Sequence, residues 1–135
     1  MKKIFAIILS IIFSISILVA SILGETIRDS LSPKVEVMSP VYYVFDDGQA
    51  IMSGLSSECF FYTENGSYAF VVEEKNDTGE KAYFAKKVAV VTGKSDNICT
   101  ELVKSSHFNG MYICYTSTPI HDGERVVITK ISNSP

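Results

Sequence analysis

The sequence predicts a small all-β domain, an antiparallel sandwich or barrel, behind one N-terminal transmembrane helix. Two observations carry this. Residues 4–23 form a run of 20 residues without a charge; as a helix the run measures about 30 Å, the thickness of a bilayer's hydrocarbon core. Beyond residue 34 the apolar runs are short and rich in Val, Ile, Tyr and Phe. Turn residues separate them about every 8–14 positions, which is a β rhythm.

The first element is the anchor, residues 1–23. Lys2-Lys3 precede the run and Glu25 follows it. Positive charge on a short N-terminal flank holds that flank in the cytoplasm, so the rest of the chain is expected outside. A cleaved signal peptide has an apolar stretch of roughly 7–15 residues followed by a small-x-small site. Here the stretch is longer, and Val19-Ala20-Ser21 lies inside it, so length favours a retained anchor. No cysteine follows the run closely enough for a lipoprotein anchor. The serines at 10, 14, 16 and 21 are compatible with a span, because a helical Ser hydrogen-bonds its own backbone.

A short polar link is expected over 24–34, and the β domain over 35–135. The 111 residues after Gly24 are enough for one domain with its own core. They carry ten Lys or Arg against fifteen Asp or Glu. That balance argues against nucleic acid as a partner, since a phosphate backbone selects basic patches. It also leaves no polybasic stripe for anionic lipid.

The expected strands are 34–38, 41–45, 50–54, 58–63, 67–74, 82–92, 98–103, 110–116 and 125–131. Turn signals between them are Asp46-Asp47-Gly48, Asn65-Gly66, Asn76 to Gly79, Gly93 to Asn97, Asn109-Gly110 and His121-Asp122-Gly123. Asn65-Gly66 is the sharpest, and is read as the two central residues of a type I′ hairpin, where both need positive φ. On the following strand Tyr68, Phe70 and Val72 should face one way, and Ala69, Val71 and Glu73 the other. Val88 to Val91 reads as a strand buried on both faces.

Three cysteines, Cys59, Cys99 and Cys114, are too few and odd in number for a disulfide framework. One bridge plus a free thiol is an option; buried reduced thiols are the preferred reading, with Cys114 buried between Tyr112 and Thr116. Asn65-Gly66-Ser67 and Asn76-Asp77-Thr78 match the N-glycosylation pattern.

Catalytic and metal-binding patterns are weak. In chain order Cys99, His107, Cys114 and His121 are separated by seven, six and six intervening residues, wider than the two to five usual between paired zinc ligands. Gly54-Leu55-Ser56-Ser57-Glu58 misses the nucleophile elbow. Asp46-Asp47 and Glu73-Glu74 are adjacent pairs, and neighbours on a strand face opposite ways. The expectation is no enzyme, no cofactor and no metal.

Two stretches resemble a known family. One is Tyr68-Ala69-Phe70-Val71-Val72-Glu73-Glu74-Lys75, a turn, then Ala85-Lys86-Lys87-Val88-Ala89-Val90. The other is the ending Pro119-Ile120-His121-Asp122-Gly123-Glu124-Arg125-Val126. Together they resemble the C-terminal, membrane-proximal β domain of the haemolysin-D-type membrane fusion proteins, the adaptors of efflux and secretion pumps. The resemblance spans roughly residues 55–129. The anchor and the link ending in Ser32-Pro33-Lys34-Val35-Glu36-Val37 resemble the start of a membrane-anchored adaptor. Such adaptors insert a lipoyl-like sandwich, and usually a long helical hairpin, between those two ends. Here only about twenty residues separate Val35 from Leu55, and no heptad run follows the anchor.

The resemblance implies a non-enzymatic, membrane-anchored, extracytoplasmic subunit that docks on a polytopic transporter of ABC or related type. It implies contact through strand edges and loops, with His121, Asp122, Gly123, Glu124 and Arg125 as the partner-contact residues. It also implies that the final strand returns beside the strands close to the anchor, bringing Val126 and Ile128 against residues 35–45. The alternative is an independent cell-envelope binding or sensing module with no pump.

Overall fold

The computed structural model describes residues 2–77 and 79–135, without the side chains of Lys2, Lys3, Phe5 and Glu25. The Lys2-Lys3 flank charges and Thr78, in an expected turn and glycosylation pattern, therefore lie outside the described residues. The chain divides into two units, Met1–Ser32 and Pro33–Pro135.

The first unit is one helix, α1 (Lys2–Leu31). It is long and apolar enough to cross a membrane. Two of its serines satisfy their hydroxyls within the helix: Ser14 donates to the Ser10 carbonyl at 2.9 Å, and Ser16 to that of Ile12 at 2.9 Å. Such back-bonds let a Ser sit in an apolar medium at little cost. The polar stretch expected as a link, 24–31, is helical and continues the same element. The helix ends where Pro33 forbids α geometry in the residue before it. Ser32 closes it, with both its N–H and its Oγ donating to the Arg28 carbonyl.

The second unit is all β. In chain order its strands are β1 (Lys34–Met38), β2 (Val41–Val44), β3 (Ala50–Ser56), β4 (Phe60–Thr63), β5 (Gly66–Asp77), β6 (Glu80–Ser95), β7 (Cys99–Ser105), β8 (Tyr112–Thr116) and β9 (Arg125–Ser132). A 3₁₀ turn, Ser57–Cys59, precedes β4 in place of the start of the expected strand 58–63.

Five strands close into a barrel in the order β6-β9-β1-β8-β5 and back to β6. The long β5–β6 hairpin is its spine, in continuous register from Ser67↔Val90 to Asp77↔Glu80. Outside the ring, β6 passes its far half to β7, then β3, then β2, while β5 passes its start to β4. Register shifts at Val91/Thr92 and Thr92/Ser95 bend β6 where it leaves the barrel. So β6 runs on to Ser95 through Gly93, which the sequence marks as a turn.

Closure is made by β9 on β1, in a parallel pairing with Lys34↔Val127 and Val35↔Ile128. A closed ring leaves its members no free edge. The return of the last strand beside the first is as the sequence reading expects, limited to β1 within 35–45.

Alternation decides the core. In β5, Ala69 and Val71 enter one cluster with Met38, Leu55, Phe60, Leu102 and Tyr112. Phe70, flanked by Tyr68 and Val72, enters the other with Val35, Val37, Ala85, Ile113 and Val126. In β6 the expectation of two buried faces fails: Val88 and Val90 are buried, whereas Ala89 and Val91 are exposed. Past the barrel, β6 belongs to a sheet with one face in solvent.

Two further expectations are corrected. The β4–β5 hairpin closes at Thr63↔Gly66, so its central residues are Glu64-Asn65, and Gly66 begins β5 with φ 124°. Cys59 and Cys114 form a disulfide, leaving only Cys99 free and buried. The bridge sits where β4 ends its run along β5 and β8 takes over: Phe60 pairs with Ala69, and Tyr112 with Val71. Cys59 is fully buried, while Cys114 is only half-buried.

Candidate functional site

The ending that carries the family resemblance folds as a tight turn on β6. Gly123 takes φ 81° and donates its N–H to the Ala85 carbonyl at 2.7 Å. Ala85 returns its own N–H to the Glu124 carbonyl at 2.8 Å. Asp122 Oδ1 accepts the Lys87 N–H at 2.7 Å. Glu124 Oε2 accepts the His121 N–H at 2.8 Å, closing the turn on itself. Three residues, Asp122, Gly123 and Glu124, are thus pinned to one strand before β9 begins.

The five residues expected at a partner contact separate into three placements. His121 and Asp122 line a surface groove of about 400 Å³ between this turn and the β4–β5–β6 face. Gly123 and Glu124 hold the turn. Arg125 lies behind it, with its guanidinium 3.1 Å from Asp77 Oδ2 at the far end of β5.

The other wall of the groove comes from aromatic residues that sequence reasoning did not group. Phe61 on β4 stacks on its cross-strand partner Tyr68, with centroids 5.1 Å apart and planes 11° from parallel. Phe70 meets both rings edge-on at 5.9 Å. Offset stacks and edge contacts are the arrangements that ring quadrupoles favour. Phe70 is buried, whereas Phe61 keeps 39% of its surface exposed. The Lys87 ammonium rests 3.9 Å from the centroid of Tyr68. Pro119 and Ile120 complete the opposite side. The legible signal was the alternation Tyr68, Phe70 on β5; what the sequence did not show is that Phe61 and Lys87 flank them.

Two polar clusters lie elsewhere. Glu73 is bound by Lys86, with Lys75 Nζ at 3.3 Å and His107 Nε2 at 3.5 Å. The Lys86 hydrogen bond leads in holding its carboxyl below the ordinary range. Its neighbour Glu74 pairs instead with Lys81 at 2.8 Å, so the two carboxylates serve separate partners.

Asp96 accepts the N–H groups of Cys99 at 2.6 Å and Ile98 at 2.8 Å, and the Tyr43 hydroxyl at 3.0 Å. Those backbone bonds lower its pKa. Burial pushes the nearby Cys99 thiol up to about 11, so it stays protonated. Among the described residues no group of three or more His, Cys, Asp or Glu side chains is placed to hold a metal ion. The disulfide takes Cys114 out of the weak set noted in the sequence.

The site is therefore an open, aromatic-walled groove with one ammonium, one imidazole and one carboxylate around it. Comparison with family models, with curated proteins and with solved structures finds no match.

Proposed function

We propose that the chain is a non-enzymatic, membrane-anchored, adaptor-like subunit, with its N-terminus cytoplasmic and its β domain extracytoplasmic, docked on an efflux or secretion transporter of ABC or related type. One observation carries this reading. The ending that resembles the adaptor family forms a turn locked to β6 and a strand that closes the barrel on β1. It leaves His121 and Asp122 facing a groove, available to a partner. The disulfide adds support for the extracytoplasmic side, since such bonds persist in oxidising compartments.

The test is photo-crosslinking in native membranes from position 122 and from position 33, with the captured protein identified by mass spectrometry. Capture of a multi-span transporter subunit is the expected result. Self-crosslinks alone, in a folded protein, would favour the second reading, an independent binding module. The observation that speaks for that alternative is the exposed aromatic wall, since ligand sites join apolar surface to a few placed polar groups.

A further inference from the structure

Five lysines of the β domain are matched by carboxylates: Lys75 and Lys86 by Glu73, Lys81 by Glu74, Lys94 by Asp47, and Lys130 by Glu36. Lys87 differs. Among the described residues no carboxylate lies within ion-pair reach of its ammonium, which is held over the Tyr68 ring inside the groove. The adjacent Asp122 spends one carboxylate oxygen on the Lys87 backbone, not its side chain. A cation held by a ring face keeps its other donors free.

The groove is also prepared in advance. One wall is fixed by the bonds from Lys87 and Gly123. The other follows directly from Cys59, which the disulfide ties to β8. A surface ordered before binding loses less conformational freedom when a ligand arrives.

Resting on the adaptor reading, we propose that this groove docks an extended acidic–aromatic segment of the protein partner. An aromatic or large apolar side chain lies between Phe61 and Ile120, and a neighbouring carboxylate pairs with the Lys87 ammonium. A basic segment would meet the Lys87 ammonium there, while the Asp122 carboxylate beside it already accepts the Lys87 N–H. The open shape between a sheet face and a turn suits a chain passing through.

The test uses the full-length chain, ¹⁵N-labelled, in micelles of a neutral detergent. It is titrated with a synthetic peptide alternating Phe and Asp. Two counterparts carry Lys for Asp and Ala for Phe. The expected result is saturable amide shifts at Tyr68, Lys87 and Ile120, with affinity about fivefold weaker for Lys87→Met and restored in Lys87→Arg. Phe61→Ala should weaken binding by on the order of tenfold. No saturable shift, equal response to the Lys peptide, or shifts elsewhere only would overturn the proposal. So would a response at Lys87 to anionic lipid vesicles and not to the peptide. If the peptide fails while a transporter is still captured from position 33, the groove assignment falls alone. If the peptide binds while no transporter is captured, the adaptor reading falls alone.

Discussion

The Cys59–Cys114 bridge should supply a large part of the β domain's stability. It joins residues 55 apart. In the chain-entropy account, a loop of that length removes roughly 14 cal/mol/K from the unfolded chain, or about 4 kcal/mol at 25 °C. A small domain is stable by about 5–15 kcal/mol in all. For about 100 residues, each kcal/mol moves the melting temperature by roughly 4–8 °C, so loss of the bridge should lower it by on the order of 20 °C. The clean comparison is the oxidised against the reduced wild-type chain, which keeps both sulfurs in place. The double variant Cys59→Ala, Cys114→Ala adds a packing loss, because Cys59 is fully enclosed by Leu55, Phe60 and their neighbours. Urea unfolding in micelles, followed by tyrosine fluorescence, reads both; the chain has no Trp and seven Tyr. Equal urea midpoints for the oxidised and reduced chains would refute the reasoning. Three alkylatable thiols in the unreduced, unfolded protein would refute the bridge itself.

Gly66→Val should cost about 1–3 kcal/mol through φ 124° alone, since an added Cβ meets nothing within 4 Å; an unchanged melting temperature would sink this. Gly54→Ala should cost a similar amount, roughly 1–3 kcal/mol, for the opposite reason. Its Cβ would lie 2.7 Å from Cys99 Sγ and 2.9 Å from Tyr43 Cβ, and a neutral result in urea would show that β2 and β3 give way freely. Asp96 titrates below its ordinary 3.8 in the fold, so its contribution is complete above about pH 4 and is lost as pH falls through the lowered value. The urea-midpoint gap between wild type and Asp96→Asn should therefore hold from pH 7 to 5 and shrink below 4; a gap that widened in acid would contradict the sign. For topology, protease added to cells or spheroplasts should digest the β domain and leave a membrane-held N-terminal piece. A mature protein beginning near Ser21 and free in the medium would end the anchor reading.

Much of the fold was legible locally. β1 has the expected bounds, Lys34–Met38, and the other strands fall within a few residues of expectation, because alternation and turn residues are written along the chain. The two faces of β5 were also readable, since Tyr68, Phe70 and Val72 alternate with Ala69 and Val71. Helix length was underestimated: polarity after Gly24 suggested a link, but polar residues such as Glu25, Arg28 and Asp29 are tolerated in a helix, and only Pro33 stops it.

Sequence alone determined an apolar helix long enough to cross a membrane, a β domain after it, and a turn at His121-Asp122-Gly123. Those follow from composition, period and residue-specific φ, which act between near neighbours. Tertiary structure alone decided the rest. It brought β4 and β8 to one edge of β5, which is why Cys59 meets Cys114 across 55 residues. It turned Ala89 and Val91 outward by ending the barrel partway along β6. It also set Phe61, Tyr68 and Lys87, from three strands, beside the turn at Asp122. Which strands become neighbours depends on the free energy of closing the whole ring, and no short stretch of sequence records that sum.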